Sequence, residues 1–358
     1  MSQILMLLIA AGALLGGADK ILGNRFGLGQ KFDEGFLLMG SMALSMTGII
    51  CLAPLLSSWL GTVITPVFSA VGIDPAMFGC VLAIDMGGYQ LAAELALDPE
   101  IGRFSGIIAS AMFGCTLVFT IPVGMSVLPE PDRPLFLKGL LAGLISLPVG
   151  LVVGGLLQGL ALGRILYQCL PIFLLSGVLL LGLVRFPGGT IRIFSRFAKL
   201  IQGVAAIGLT LAAVRHISGI SFLPGLASLD EAMGIVSSIA IVMLGSLPLA
   251  ELLRRLLARP FRWLGSKTGL NDISTTGIIM GTITVMPAMV MVPDMDRRGK
   301  VLCGAFLVCG ASALAAHMGF AAGTEPDLIL PLLGGKFSGA LVGMAIAMGM
   351  TRSDSYYS

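Results

Sequence analysis

Charged side chains are scarce in this sequence. Asp, Glu, Lys and Arg make up 11% of its 358 residues, whereas a soluble domain carries about 25%. Hydrophobic residues make up 56%, and the mean hydropathy is +0.98, which is more apolar surface than a soluble chain of this size can bury. The composition therefore excludes a soluble protein and indicates a polytopic membrane protein. The formal net charge of +3 is too small to suggest a nucleic-acid partner.

Patterns that bind metals or cofactors are also missing. The sequence has two histidines and six cysteines, with no CxxC pair and no cluster of His, Cys and carboxylate at metal spacing. It has no Walker loop and no HExxH sequence. We therefore expect no metal, no cofactor, no catalytic residues and no enzymatic activity. Free, buried thiols are expected at Cys51, Cys80, Cys115, Cys169, Cys303 and Cys309.

Long apolar segments fill most of the chain, and most of them can cross about 30 Å of hydrocarbon. The first is expected to be a retained helix rather than a signal peptide, because no basic residue precedes it. Two basic stretches, 186–199 and 250–268, are expected to lie at the membrane surface. The apolar segments lie near 3–18, 35–56, 76–97, 104–127, 136–163, 167–185, 200–214, 232–250, 273–293, 301–323 and 328–350.

The chain also repeats itself at an offset of 197 residues. Six agreements that include scarce proline and acidic residues occur at this offset without gaps. The repeat predicts an all-α membrane protein with two repeats of five apolar segments around a connector helix. The predicted divisions are 1–163, the first repeat; 164–199, the connector and a basic interfacial segment; 200–350, the second repeat; and 351–358, a short tail. The matches are Asp33-Glu34 with Asp230-Glu231, Gly72 and Asp74 with Gly269 and Asn271, Gly102-Arg103 with Gly299-Lys300, Pro129-Glu130 with Pro326-Asp327, and Pro134 with Pro331.

The third segment of each repeat is interrupted by polar or helix-breaking residues. In the first repeat Asp85 lies among Gly87, Gly88, Tyr89 and Gln90, with Glu94 one turn further on. A carboxylate at membrane depth costs roughly 2.5 to 3.5 kcal/mol on insertion scales, so it needs a partner, water or a ligand. The second repeat has Gly281 and Pro287 in the corresponding segment, and the register places Asp85 opposite Thr282. Paired interrupted segments in two halves are typical of a transport site.

The distribution of basic residues predicts how these segments meet the membrane. If all eleven segments cross, 12 basic residues lie on one side of the membrane and 10 on the other, so neither side is favoured. If 76–97 and 273–293 enter and leave on one side, they divide 18 to 4, with Lys336 counted among the four. We therefore predict two re-entrant or broken segments and two inverted repeats. The loops near 31, 133, 192, 260 and 298 are then cytoplasmic.

Three sequence features also carry a family resemblance. They are the run 79–92, the sequence Asp-Pro-Glu-Ile-Gly-Arg at 98–103, and the paired Pro-Glu and Pro-Asp turns. They resemble the bacterial ethanolamine utilisation transporter family, EutH, over essentially the whole chain. The resemblance implies a multi-pass permease of the inner membrane that imports ethanolamine for catabolism. Its expected partners are ethanolamine and the lipid bilayer.

Ethanolamine is a cation at neutral pH, so its site needs acceptors for the ammonium group and a partner for the hydroxyl group. Asp85 is the predicted counter-charge, and Tyr89 can add an aromatic face. Glu94 is a candidate second carboxylate or proton carrier. The alternative for Asp85 is coordination of a coupling Na⁺, and a lone polar residue in a membrane segment is often packing contact only. The candidate partners of the hydroxyl group are Gln90, Thr282 and Thr284.

His317 lies in the middle of the segment 301–323 and is a candidate proton relay or a neutral packing residue. Facilitated and ion-coupled transport both stay open, as does a homodimer, since many inverted-repeat carriers are dimers. The alternative functions are ion-coupled transport of another small polar metabolite and, in second place, a membrane-embedded enzyme acting on lipid head groups.

Overall fold

The computed structural model describes residues 2–82 and 88–352, and within them the side chains of all but Ser2, 257–268 and Arg352. The described chain is all-helical. Eight of its helical runs are long and apolar enough to cross a membrane, and a bent pair in the connector makes a ninth if it is one span. The predicted all-α membrane architecture is therefore confirmed.

The first half begins with α1 (Ser2–Ile21). A π-helical turn joins α2 (Leu28–Met42) to α3 (Gly48–Ala70), and together they form one run of 43 residues. The interrupted segment follows and contains α4 and α5. A long helical run from α6 to α7 comes next, and α8 completes the half. Their bounds are α4 (Ala76–Gly79), α5 (Gly88–Leu95), α6 (Pro99–Arg103), the π-helical segments Phe104–Gly114 and Thr116–Thr120, α7 (Ile121–Val127) and α8 (Arg133–Gln158).

The connector consists of α9 (Leu162–Gln168) and α10 (Leu170–Arg185), which meet at an angle of 52°. The second half then repeats the order of the first. Its elements are α11 (Pro187–Ser218), α12 (Leu229–Thr268), α13 (Asp272–Ile283), α14 (Val285–Met291), α15 (Arg297–Cys309), the π-helical segment Ala313–His317, α16 (Met318–Thr324) and α17 (Ile329–Arg352).

The offset of 197 also relates features that the sequence does not reveal. At this offset the π-helical segment Thr116–Thr120 corresponds to the π-helical segment Ala313–His317. Each lies within a long helical run that follows an interrupted segment. A π-helical turn widens the helix and is frequent at functional sites, so the two halves place the same irregularity at equivalent positions.

The two basic stretches are continuous with long helices. Residues 187–199 are the start of α11, and 250–268 are the end of the 40-residue helix α12. The helix α12 continues through the second junction even though Gly245 and Pro248 directly precede it. The predicted boundary at residue 200 accordingly lies inside α11.

The ends of each interrupted segment lie together. The Asp74 carboxylate, before α4, accepts backbone N–H bonds from Ala76 at 2.9 Å and from Asp98 at 2.8 Å. Burial raises the pKa of this carboxyl, and the N–H bonds from Ala76 and Leu97 oppose that effect. In the second half the Asn271 N–H, before α13, bonds to Asp296 Oδ1 at 3.0 Å. Each segment therefore begins and ends at the same level of the fold.

The helices form two bodies. The scaffold body contains α1, α2, α3, α11 and α12, and the core body contains α4–α8 and α13–α17. Within the scaffold body, a Cβ atom on Gly48 would lie 1.7 Å from the Ala205 carbonyl oxygen, and one on Gly245 would lie 2.0 Å from that of Ile9. Gly48 and Gly245 are themselves 197 residues apart. Only glycine permits this backbone contact, so the helices of the scaffold body are tightly joined.

Ion pairs made by two cations, Arg103 and Lys300, join the halves within the core body. Arg103 contacts Glu325 at 2.9 Å and also Asp327. Lys300, its counterpart at the offset of 197, contacts Asp132. Each cation thus reaches the acidic turn of the opposite half, and this reciprocity makes the core body one structural unit.

We expect Lys300→Met to destabilise the protein, because the Lys300 and Asp132 side chains are only 11% and 14% exposed. Leaving one such charge without its partner costs on the order of 3 kcal/mol. The double variant Lys300→Met/Asp132→Asn should recover most of the loss in thermal midpoint, measured on purified protein in detergent. Lys20→Met is the matched control, since the Lys20–Asp33 pair is exposed. A double variant no more stable than the single one would contradict a buried-pair role.

Candidate functional site

A cavity of about 830 Å³ lies between the scaffold body and the core body. Helices α2 and α12 of the scaffold body line one wall, and α13, α14 and the two π-helical regions of the core body line the other. Its lining is mostly apolar, as in small-molecule sites. The charged residues Lys31, Glu34 and Glu251 lie at the end near the α1–α2 turn, where Lys31 and Glu34 are partly exposed. This end is the mouth of the cavity.

Polar groups from both halves gather at the other end, the floor. Thr120 and His317 are related by the offset of 197, and both line the cavity. Ser312 has a left-handed backbone (φ 52°) that breaks the helix before the second π-helical segment. Its N–H donates to the Gly281 carbonyl at 2.8 Å and so joins this break to α13. Irregular backbone at membrane depth is tolerated where it lines a cavity.

His317 is the most distinctive group at the floor. Its side chain is 5% exposed, and Nε2 lies 3.4 Å from Cys115 Sγ. Nδ1 is buried and makes no hydrogen bond of normal geometry among the described residues, although the Ala311 backbone interacts with the imidazole. Buried polar atoms normally have a partner. An unpaired nitrogen beside a cavity is therefore a candidate ligand contact.

The structure places the predicted site residues in different environments. Thr284, in the extended break between α13 and α14, lines the same cavity as His317. The Thr282 hydroxyl instead donates to the Ile279 carbonyl at 2.7 Å. Asp85 lies outside the described residues. The cavity thus brings together Thr284 and His317 of the predicted set.

Three further predicted residues lie on α5, away from the described cavity lining. The Tyr89 hydroxyl donates to Glu325 at 2.6 Å, and its ring packs edge-on against Phe320 at 5.7 Å. Gln90 is half-buried, and its Oε1 has no partner within the described part of the chain. Glu94 is exposed on the outer surface of the fold. Tyr89 therefore joins α5 to the second half, and Glu94 faces away from the cavity.

Sequence reasoning missed several floor residues. Thr120, Ser312 and Cys115 all line the cavity. The repeat contained the signal, because Thr120 corresponds to His317 and Cys115 corresponds to Ser312 at the offset of 197. Lys336 was counted among the surface charges, yet it is fully buried in α17. Without it the basic residues divide 18 to 3 rather than 18 to 4.

All six cysteines are free and buried, as predicted. The described residues contain no group of three or more His, Cys, Asp or Glu side chains that could hold a metal ion. The floor is thus a hydrogen-bonding site made of an imidazole and hydroxyl groups, with the carboxylates of Glu34 and Glu251 at the mouth.

Comparison with known proteins finds one family model and several relatives that carry the same family name. The family model described as "Ethanolamine utilisation protein, EutH" matches residues 1–350. A Listeria monocytogenes protein named "Probable ethanolamine permease EutH" is 39% identical over 98% of this chain and 94% of its own length. Proteins of the same name from Salmonella typhimurium and Escherichia coli are each 35% identical, over 98% and 96% of this chain and 93% and 92% of their own lengths. No solved structure matches. This multi-pass membrane chain therefore belongs to the EutH family, as its run 79–92 indicated.

Proposed function

We propose that this protein imports ethanolamine across the bacterial inner membrane and binds it in the cavity between the two bodies. The observation that carries the proposal is the unpaired His317 nitrogen at the cavity floor. Three relatives that match nearly the whole chain carry the name "Probable ethanolamine permease EutH". A carrier needs a polar site at an interrupted region of both halves, and the cavity floor has that arrangement.

The floor suits a small amino alcohol. When Nε2 carries the imidazole proton, Nδ1 of His317 is an acceptor for an ammonium N–H. The hydroxyls of Thr284, Ser312 and Thr120 can each donate to and accept from the substrate hydroxyl. Asp85 stays the proposed counter-charge, which an ammonium in a low-dielectric site requires.

We also propose that the repeats are inverted and that the interrupted segments are re-entrant. Two contacts support this topology. With eleven crossings, the turn at Asp132 and the residue Lys300 would lie on opposite sides of the membrane, and so would Arg103 and Glu325. Both pairs are in direct contact. In the inverted topology the cavity mouth, with Lys31 and Glu34, opens to the cytoplasm.

Proteoliposomes that contain only this protein are expected to accumulate labelled ethanolamine. The measurement is made with and without an imposed pH or Na⁺ gradient, which separates facilitated from coupled transport. Excess unlabelled ethanolamine should suppress the signal, whereas other small polar metabolites should not if the substrate is assigned correctly. A folded, monodisperse protein that gives no accumulation under any gradient would refute the proposed function.

Cys115 offers a native probe of the site, because its thiol lines the cavity. We expect aminoethyl methanethiosulfonate, a cation of the substrate's size, to modify Cys115 from the mouth side and to block uptake. Ethanolamine should slow the modification at least several-fold. Cys115→Ser is the matched control and should be resistant. Modification at the same rate with and without saturating ethanolamine would place the substrate elsewhere.

A further inference from the structure

Lys336 is a buried cation that the proposed binding site does not yet use. It lies on the third turn of α17 and is 0% exposed. Its ammonium donates to the Ala111 carbonyl at 2.7 Å. Ala111 belongs to the π-helical segment Phe104–Gly114. In a regular α-helix its carbonyl would accept from the Cys115 N–H, but here that N–H bonds to the carbonyls of Ser110 and Met112. The irregular helix therefore leaves an acceptor for the lysine.

This ammonium lies behind the cavity floor. Ala111 precedes Cys115 by one helical turn, and Cys115 Sγ contacts His317 Nε2. The titratable groups that act electrostatically with Lys336 are the thiols of Cys115 and Cys309 and the imidazole of His317. At this level α8, which packs along α17, presents Gly150 and Gly154 to Gly335. The lysine is thus surrounded by neutral groups and has the candidate substrate contact as a neighbour.

An ionisable residue buried within a membrane bundle is a functional candidate by default. A charge in an apolar interior is costly unless it is paired, and a carbonyl oxygen is only a partial partner. A second cation that enters the nearby cavity adds like-charge repulsion, which is strong at low dielectric. The ammonium of Lys336 and a substrate ammonium therefore compete for the same region.

We propose that Lys336 is protonated in the empty site and releases its proton when a small primary ammonium binds at the floor. The proposal rests on the proposed function and extends it to substrate–proton exchange. In the step, one N–H bond of the Lys336 ammonium breaks and the electron pair stays on the nitrogen. The proton is taken up by the water of the cavity, because Nε2 of His317 already carries a proton and Nδ1 accepts from the substrate. The net charge of the site then changes little on binding.

Titration calorimetry of ethanolamine binding tests this exchange on the purified, full-length protein. Measurements in phosphate and in HEPES at one pH give the number of protons released, because the two buffers differ in ionisation enthalpy. We expect proton release and an affinity that weakens as the pH falls, by up to about tenfold per pH unit for a full proton. Lys336→Met should bind ethanolamine without release and with little pH dependence.

Lys138→Met is the matched control, since Lys138 also donates to a carbonyl of α17, that of Met350, but lies away from the floor. It should release protons as the wild type does. If Lys336→Met fails to fold, Lys336→Arg keeps the charge but cannot lose its proton, and it should bind weakly without release. Wild-type binding without proton release, or release that persists in Lys336→Met, overturns the inference alone. Absence of any wild-type binding overturns the proposed function instead.

Discussion

A disulfide between cysteines at positions 243 and 319 is expected to stop ethanolamine uptake completely, and reduction is expected to restore it. Met243 belongs to α12 of the scaffold body, and Gly319 belongs to α16 of the core body. A Cβ atom on Gly319 would lie 3.0 Å from Met243 Cγ, the position that a cysteine sulfur would take in Met243→Cys. This separation suits a disulfide. The bond would fix the two bodies to each other across the wall of the cavity.

The matched control is a disulfide inside one body. A Cβ atom on Gly343 would lie 2.8 Å from Ser146 Oγ, and both residues belong to the core body. Ser146→Cys/Gly343→Cys should cross-link as readily and leave uptake near the level of the reduced protein. Both pairs are introduced into a variant without the six native cysteines. Full cross-linking at 243–319 with undiminished uptake would show that transport needs no movement between the bodies.

We expect the two bodies to move relative to each other because the contacts inside each body differ from those between the bodies. Inside each body, glycines bring helix backbones together, as Gly48 does against Ala205 and Gly139 against Val301. The reciprocal ion pairs of Arg103 and Lys300 also lie inside the core body. Between the bodies, α12 meets α16 more loosely, next to a large cavity: a Cβ atom on Gly319 would lie 3.0 Å from Met243 Cγ, and one on Gly323 would lie 3.4 Å from the Ile239 backbone nitrogen. Looser contacts, some of them through flexible side chains, can slide or repack at less cost than interlocked backbones.

The repeat explains why much of the fold was predictable. Matched prolines and acids identified the two halves and the two interruptions, because those residue types end membrane helices or mark their turns. The π-helical segments at the same offset left no comparable signal, since Thr116–Thr120 and Ala313–His317 share almost no residue types. Backbone irregularity of this kind depends on tertiary packing, as between Ser312 and Gly281.

The candidate site was less predictable, because residue type does not give orientation. Glu94 is exposed, whereas its α5 neighbours Leu91, Ala92 and Leu95 are buried. Which residues of α5 are buried depends on how the helix packs against the rest of the fold. The bond from Tyr89 joins residues 236 apart in sequence, a pairing that composition cannot identify. His317 was recognised because an ionisable residue in an apolar segment is conspicuous by itself.

Asp85→Asn is expected to weaken ethanolamine binding by about ten- to a hundredfold, the loss of one charge-assisted hydrogen bond worth roughly 1.5 to 3 kcal/mol. Asparagine is nearly isosteric and removes only the charge, so expression and thermal stability should change little. Glu94→Gln is a matched control within the same interrupted segment, because it neutralises a carboxylate that is exposed on the outer surface. It should leave affinity and uptake unchanged.

Calorimetry or a ligand-induced thermal shift on the purified variants measures both effects. Asp85→Glu refines the result: one added methylene moves the charge by about 1.5 Å, a displacement that a tight site registers as lost affinity. If Asp85 were only a packing residue, neutralising it would be harmless or stabilising, since an uncompensated buried charge is the costly state. Unchanged affinity in Asp85→Asn together with a loss in Glu94→Gln would transfer the counter-charge to Glu94, and the substrate path would then lie along the outer face of α5 rather than in the cavity beside His317.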